Sequence, residues 1–497
     1  MVGGGADGGG GGGGGGYISA RYESFRGAED VTLEKWLISG AELNSVAKAV
    51  DVGIFGRIVR SLRLTDLLAY PIMTLSHGQV RRAKLAAALL NHPQVLLVDE
   101  PFMGLDPPST FTISHLLQEV AEKPKNQFTL STTPVLALRP QDPVPSWIEN
   151  VAVLGEGNTV VAMGKRKDVV GEMKEVHNSP LNTAEPWTPR EGLFAKVWRG
   201  VDEFGNRENQ DRYTTAAAST AEGDSKTGKE PLLTLSSITI KYGTSPPRHI
   251  LRDFSWTIRR GDRWGVFGPN GSGKTTLLAL LTSDHPQTYS QEITVFGHRR
   301  GDPGVSIFDV QSRIGHSSPE VLAFWPRHLS LRRTVEAAWA DTPLAKADLP
   351  PGASEAVAEV FDEFKDALPR KVVDEEEEEE EVVDGDVPFA ELSPSQQCLA
   401  LFLRAVVKKP DLLILDEAFV GMEDSVRERC LRWMDPLEQG GRGGLEERQA
   451  LVVVSHVEEE VPRGVERWVR LGGTTAGAGQ EGEGEGEGTG GAEFGVV

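Results

Sequence analysis

Eight consecutive residues, Gly268, Pro269, Asn270, Gly271, Ser272, Gly273, Lys274 and Thr275, fit the pattern G-x-x-x-x-G-K-[ST], with Thr276 next in line. Residues of these types at this spacing hold a chain of phosphates. Such a loop turns successive backbone N–H groups toward an anion at a helix N-terminus, where the helix dipole adds to the attraction. Glycine is required because a Cβ would block the approach. Lys274 reaches the β- and γ-phosphates, and the Thr275 hydroxyl sits on Mg2+. The loop works only between a buried strand and a helix, and residues 264–267 and 275–281 have those compositions. The bland alternative, a glycine-rich turn with a chance lysine, does not account for strand, loop and helix in order.

A second constellation follows downstream. Asp411-Leu-Leu-Ile-Leu-Asp-Glu417 is an apolar run ending in two carboxylates, the look of a buried parallel strand whose C-terminal end faces a ligand. Asp416 is placed to hold Mg2+ through water and Glu417 to polarise the attacking water as general base. Val452-Val-Val-Ser-His456 reads as another buried strand. His456 at its end is placed to touch a γ-phosphate; taken alone it would be a plain strand-end histidine. Tyr242 closes a strand-like run from Ile238 and either stacks on adenine or serves as a core or edge aromatic.

In this order the residues resemble the nucleotide-binding domain of the ATP-binding cassette (ABC) family over about 231–473. The resemblance implies an α/β phosphate-loop NTPase fold, ATP and Mg2+ as ligands, ATP hydrolysis, a Q-loop, and a signature motif opening a helix. It also implies head-to-tail pairing, in which one domain's phosphate loop faces the other's signature. Leu75-Ser-His-Gly-Gln79 resembles that signature and Gly104-Leu-Asp106 the D-loop.

Both have counterparts 317 positions later, as does the Asp-Glu strand ending at Glu100: Leu75 and Leu392, Ser76 and Ser393, Glu100 and Glu417, Gly104 and Gly421, Phe102 and Phe419, Pro145 and Pro462. A gapless offset from 71 to 155 is an internal repeat, so the expected architecture is two tandem nucleotide-binding domains. The counterpart of Lys274 would precede Met1. The first domain is therefore expected to be N-terminally truncated, the favoured reading over a degenerated first domain, covering 17–170 after a low-complexity glycine segment at 1–16. Within it, 31–38 and 41–50 read as helices. A linker at 171–230, a complete second domain at 231–473 and a disordered Gly/Glu tail at 474–497 complete the layout. The glutamate block at 374–386 reads as a solvated loop inserted in the helical subdomain.

Sorted by composite site, Lys274, Thr275, Asp416, Glu417 and His456 belong with Ser76, Gly78 and Gln79. Ser76 is placed as N-cap of a helix running to Asn91, although His77 departs from the usual glycine. The opposite site lacks a phosphate loop, and Pro394 removes an N–H from its signature. There the counterpart of His456 is Arg139, and Glu423 stands where the first half has Asp106. Around 318–320 no glutamine stands for a Q-loop, and Glu320 is the nearest substitute.

The net charge of −21 argues against general attraction to nucleic acid or anionic membranes. Cys398 and Cys430 lack metal-ligand spacing and suit a cytoplasmic or other reducing compartment; a mitochondrial location is not excluded where the N-terminus is in question. With no run of about twenty apolar residues, the chain has no intrinsic membrane span, and a transporter role would require separate transmembrane partner subunits. Within the family, His316 to Glu320 and Ser283-Asp-His-Pro-Gln-Thr-Tyr-Ser290 resemble the tandem ATPases of the molybdate-transport or photorepair-like branch, including fungal forms. Two alternatives stay open: a ribosome-associated ABC-F-like ATPase, disfavoured by a linker that is neither basic nor periodic, and a non-hydrolysing nucleotide-binding scaffold. A homodimer through the second domains is expected if the first domain does not dock.

Overall fold

The computed structural model describes residues 31–169 and 229–496, except 44–51, 122–131, 139–143, 156–158, 243–247, 376–377, 436–443, 473–491 and single or paired positions that include Ser76, Gly104, Asp106 and Asn270. Short 3-10 turns aside, the first half runs α1 (Leu33–Leu43), α2 (Val52–Ser61), α3 (His77–Leu90), β1 (Val95–Asp99), α4 (Pro107–Ala121), β2 (Thr133–Ala137), β3 (Asn150–Gly155) and β4 (Thr159–Lys165). The second half begins with β5 (Pro231–Tyr242), β6 (Arg248–Arg259), β7 (Arg263–Phe267), α5 (Lys274–Leu281), β8 (Glu292–Val295) and β9 (His298–Arg299). It continues with α6 (Ile307–Ser312), β10 (Ile314–Ser317), α7 (Pro319–Phe324), α8 (Leu331–Glu336), α9 (Ala353–Glu363), β11 (Arg370–Glu375) and β12 (Glu378–Val383). Last come α10 (Pro394–Val406), β13 (Leu412–Asp416), α11 (Asp424–Met434), β14 (Ala450–Val454), β15 (Arg467–Leu471) and β16 (Ala492–Val496).

The Val-, Leu- and Ile-rich runs of the second half form a six-stranded sheet ordered β10-β13-β14-β7-β15-β16, parallel except for the last strand. A parallel strand buried on both faces reads as a continuous apolar run, and β13 and β14 are such strands. Ile414 and Val452 face Leu277 and Leu281 of α5 and the antiparallel sheet β6-β5-β8-β9. Leu413, Leu415 and Val453 face the opposite core with Leu399 and Phe402 of α10 and with Phe419. The phosphate-loop strand lies at the centre of the sheet, between β14 and β15.

The 317-residue offset is written into the backbone. Val95 pairs with Thr133 as Leu412 pairs with Ala450. The N–H of Glu100 donates to Ala137 O at 3.0 Å, and that of Glu417 to Val454 O at 2.8 Å. Thr133 N–H to Gln94 O (2.8 Å) is likewise repeated by Ala450 N–H to Asp411 O (2.9 Å). The halves also differ: β1-β2 and β3-β4 are two separate two-stranded sheets, and the described residues of the first half hold no strand equivalent to β7 or β10.

Several expectations are corrected. The glutamate block is not a plain solvated loop: β11 and β12 pair antiparallel from Arg370↔Val383 to Glu375↔Glu378. Lys371 clamps the base of this hairpin, 3.1 Å from Asp384 and 3.0 Å from Asp386, and Val383 packs on the helical core. The tail is not wholly without structure either. Its end, β16, adds antiparallel to β15, with Phe494 stacked on Phe254 at 5.9 Å. The Gly/Glu stretch merely lengthens the connection that β3 and β4 make in a few residues. In the N-terminal region α1 extends past position 38 to Leu43, and the stretch expected as a helix at 41–50 falls mostly outside the described residues.

Candidate nucleotide site

β7 carries the chain up the middle of the sheet and releases it into the glycine loop. Gly268 and Gly273 adopt φ of +146° and +98°. A Cβ on Gly268 would meet Leu471 O and Ser272 Oγ at 2.6 Å, and one on Gly273 would meet Ile250 Cγ2 at 2.6 Å. No other residue type fits either position without moving backbone or core. No side chain caps α5, so its first-turn N–H groups, which have no intrahelical acceptors, open toward the loop. The buried Lys274 donates from Nζ to Gly268 O (2.8 Å) and Pro269 O (3.2 Å), which sets its charge across the mouth of the loop. Thr275 is half-buried and Thr276 buried in the same turn. Buried Ser272 Oγ has no hydrogen-bond partner among the described residues. Asn270 and the Tyr242 side chain lie outside the described residues, so neither takes part in this account.

The carboxylates arrive from β13. Pairing of Asp416 with Val454 sets it at the C-terminal edge of the sheet, beside β14 and one strand from the loop. Burial raises the Asp416 carboxyl well above the usual carboxylate range, and the charges of Glu417 and Glu320 push the same way while Lys274 opposes them. Four side chains from three distant segments thus share one electrostatic neighbourhood. Glu320 enters it from the first turn of α7, just beyond the β10 residue Ser317 that pairs with Leu415.

Glu417 follows in the left-handed region at φ +47°, and Glu100 takes +45° in the first half. That conformation strains a non-glycine residue and persists where the surroundings over-determine it. Here Val454 O fixes the Glu417 N–H, turning the side chain off the strand. His456 Nε2 lies 3.3 Å from Glu417 Oε1. Both ring nitrogens are buried without a hydrogen-bond partner among the described residues. The residue that sequence reasoning missed is Glu460. It is buried, and its Oε2 accepts from Ser455 Oγ at 2.8 Å, anchoring the turn that carries His456. Its only signal was a run of three glutamates, which reads as solvated surface.

The signature segments differ in what the structure describes. Ser76 lies outside the described residues; Gly78 is described only as backbone in the first turn of α3, and Gln79 is half-buried there. In the second half Ser393 Oγ accepts from Gln396 N–H (3.2 Å) and Gln396 Oε1 from Ser393 N–H (3.0 Å), a capping box with Pro394 inside the first turn. Both polar groups serve the helix end. Gly104, Asp106 and Arg139 lie outside the described residues.

The residues present fit a magnesium nucleotide. A glycine cradle, an uncapped helix start, a buried lysine and the unpartnered Ser272 hydroxyl suit phosphate. The Thr275 hydroxyl and the Asp416 carboxyl are hard oxygen donors suited to Mg2+. Among the described residues no group of three His, Cys, Asp or Glu side chains is placed to hold a metal by itself. Mg2+ characteristically arrives with substrate phosphates and one or two carboxylates.

Comparison with known proteins agrees. A protein-family model described as ABC transporter matches residues 29–103 and 251–420. An uncharacterised ABC transporter ATP-binding protein of Schizosaccharomyces pombe is 32% identical over 454 residues, spanning 91% of this chain and 78% of the relative. The ABC transporter ATP-binding protein ModF of Escherichia coli is 29% identical over 406 residues, spanning 82% and 71%. Among solved structures, a model of ribosome-bound archaeal Pelota and ABCE1 superposes with a TM-score of 0.52 and 16% identity over 88% of this chain and 59% of that one, a likeness of fold alone. With the phosphate loop, the Asp-Glu strand and the internal repeat in register, the chain belongs to the ATP-binding cassette family, as an ABC ATP-binding protein with two tandem cassette regions.

Proposed function

We propose that the second half binds Mg-ATP and hydrolyses it, with the first half supplying the signature face of the same site. The observation that carries this reading is the convergence of Lys274, Asp416, Glu417 and His456 at one edge of one parallel sheet. The loop at 268–276 holds the phosphates through its backbone and Lys274. Mg2+, held by Thr275 and Asp416, supplies charge neutralisation on the phosphates when bound. Glu417, turned off its strand by the left-handed backbone, accepts the proton of the attacking water. His456, 3.3 Å from Glu417, contacts the γ-phosphate that the water attacks. Ser76, Gly78 and Gln79 close over the nucleotide from the other half, while Tyr242 flanks the base.

Among the described residues no helix is long and apolar enough to cross a membrane. Coupling to transport, the role suggested by the similarity to the ABC transporter ATP-binding protein ModF, therefore calls for separate membrane-spanning subunits. The test is ATP turnover by the purified chain with Ser76→Arg and Ser393→Arg side by side. Loss of turnover in Ser76→Arg alone, with binding spared, supports the composite site. Loss in Ser393→Arg alone refutes it and indicates pairing of two second halves.

A further inference from the structure

Each Asp-Glu strand ends in the same bend, and the repeat shows what holds each bend in place. Glu100 and Glu417 both take left-handed backbone, at φ +45° and +47°, a conformation that a non-glycine residue keeps only where its surroundings hold it. The N–H side is alike in the two halves, donating to Ala137 O and to Val454 O. The carbonyl side differs. In the second half Glu417 O accepts from the N–H of Val420 at 3.2 Å, and Val420 O accepts in turn from Cys398 Sγ at 3.4 Å. In the first half Glu100 O accepts from Arg81 Nη1 at 3.0 Å.

Arg81 and Cys398 occupy one position of the repeat, 317 residues apart, each the fifth residue of the helix that the signature segment opens, α3 and α10. The same site on each signature helix therefore reaches across to the bend after the Asp-Glu strand, with a guanidinium in one half and a thiol in the other. The two ties are unequal. A thiol is a weak donor, and burial, which pushes the Cys398 thiol up to about 11, keeps it neutral. Arg81 stays charged and spans the gap in one bond with no intervening turn, and charge-assisted bonds are the stronger kind. Ala86 and Leu89 of α3 also share a core with Leu96 and Phe102, but apolar packing is non-directional. The bond from Arg81 adds a direction to it. Arg81 follows Gly78 by three positions, which puts both on one face of the helix.

We propose that Arg81 is the positioning residue of the first-half signature: its bond to Glu100 O fixes α3, and with it Gly78 and Gln79, at the orientation in which they close over the nucleotide of the second half. Arg81 touches neither nucleotide nor attacking water and acts through the helix that carries the signature. The stronger tie sits in the half whose signature keeps a glycine, and the weaker one in the half where Pro394 removes an N–H. This role rests on the composite site proposed above.

Full-length chains carrying Arg81→Met, Arg81→Lys, Cys398→Ala and Ser76→Arg are compared with the parent by steady-state ATP turnover, calorimetric ATP titration and amide hydrogen exchange. Arg81→Met keeps the apolar stem and removes the donors. It lowers kcat by about ten- to a hundredfold, the range for one charge-assisted bond. ATP affinity is retained, because the phosphate loop lies in the other half. Exchange quickens at the amides of Glu100 and Leu105, which flank the bend, while 85–90 in the interior of α3 stays protected. Arg81→Lys, which returns a charged donor, recovers most of the lost turnover, and Cys398→Ala leaves turnover near that of the parent. Unchanged kcat in Arg81→Met, with turnover lost in Ser76→Arg, overturns the role of Arg81 and leaves the composite site standing. Turnover intact in Ser76→Arg refutes the composite site and takes the role of Arg81 with it. Faster exchange throughout 85–90 and 95–99, or an Arg81→Lys chain as slow as Arg81→Met, shows that Arg81 only stabilises the fold and overturns the role. A Cys398→Ala chain slowed as much as Arg81→Met moves the working signature to the second half and overturns it as well.

Discussion

Replacing Lys274 with alanine is the most direct perturbation of the site, and its size follows from the geometry. The ammonium has three donors, and two are now spent on Gly268 O and Pro269 O at 2.8 and 3.2 Å. A bound triphosphate offers charged acceptors in place of these carbonyls. Each charge-assisted contact is worth about 1.5–3 kcal/mol, so two contacts contribute about 3–6 kcal/mol, or roughly two to four powers of ten in Kd. A second consequence follows from the carboxylate side. Lys274 is the charge that opposes protonation of Asp416. Without it Asp416 holds its proton more firmly and presents a poorer cation ligand. Mg-ATP affinity should therefore fall further than ATP affinity in EDTA. Calorimetric titration with and without Mg2+ reads both effects. Lys274→Met, which keeps the apolar stem, separates charge from packing, and thermal melting confirms the fold. A Kd within threefold of the parent in both variants would refute the assignment of the loop.

Glu417→Gln keeps the side chain's shape and removes its basicity, so hydrolysis should fall by about 10²–10⁴ with ATP binding retained. Glu100→Gln in the same chain should leave turnover unchanged, and the reverse pattern in a steady-state assay would reassign the active half. Burial holds His316 at a pKa of about 4 against an ordinary 6.5. Below about pH 6.5 the unfolded chain thus takes up a proton that the fold refuses, and stability drops as pH falls, with a slope approaching about 1.4 kcal/mol per pH unit. Urea midpoints between pH 7.5 and 5 should show this slope, and a slope unaltered in His316→Phe would contradict it. Ile414→Ala should destabilise the second half by about 2–5 kcal/mol through the cavity it leaves. Leu97→Ala at the matching position of the first half, 71% exposed against 0% for Ile414, should change stability by no more than about 0.5 kcal/mol, and equal losses in denaturant titrations would contradict that contrast.

The phosphate loop was legible because its function demands local chemistry. Glycine at 268 and 273 answers backbone conformations that no side chain tolerates, and a lysine must follow at fixed distance. The Asp-Glu strand and its repeat were legible because strands buried on both faces leave uninterrupted apolar runs, and 317 positions separate the two copies throughout. The acidic hairpin escaped because its composition reads as solvated chain, whereas its pairing is closed by Lys371 against Asp384 and Asp386. The strand at 492–496 escaped because an edge strand is specified by the neighbour it pairs with, and that neighbour lies across a Gly/Glu connection. Glu460 escaped for a similar reason: nothing distinguishes the buried glutamate of a run of three until Ser455 is seen to donate to it.

The sequence by itself determined where the phosphate-loop motif lies, which strands carry the carboxylates, and that the cassette occurs twice. Tertiary structure alone decided that Glu320 shares an electrostatic neighbourhood with Asp416, that His456 lies against Glu417, and that Leu97 is 71% exposed where its counterpart Ile414 is 0% exposed. Those outcomes depend on which surfaces meet across the sheet, and burial and charge coupling are properties of that meeting rather than of any single segment.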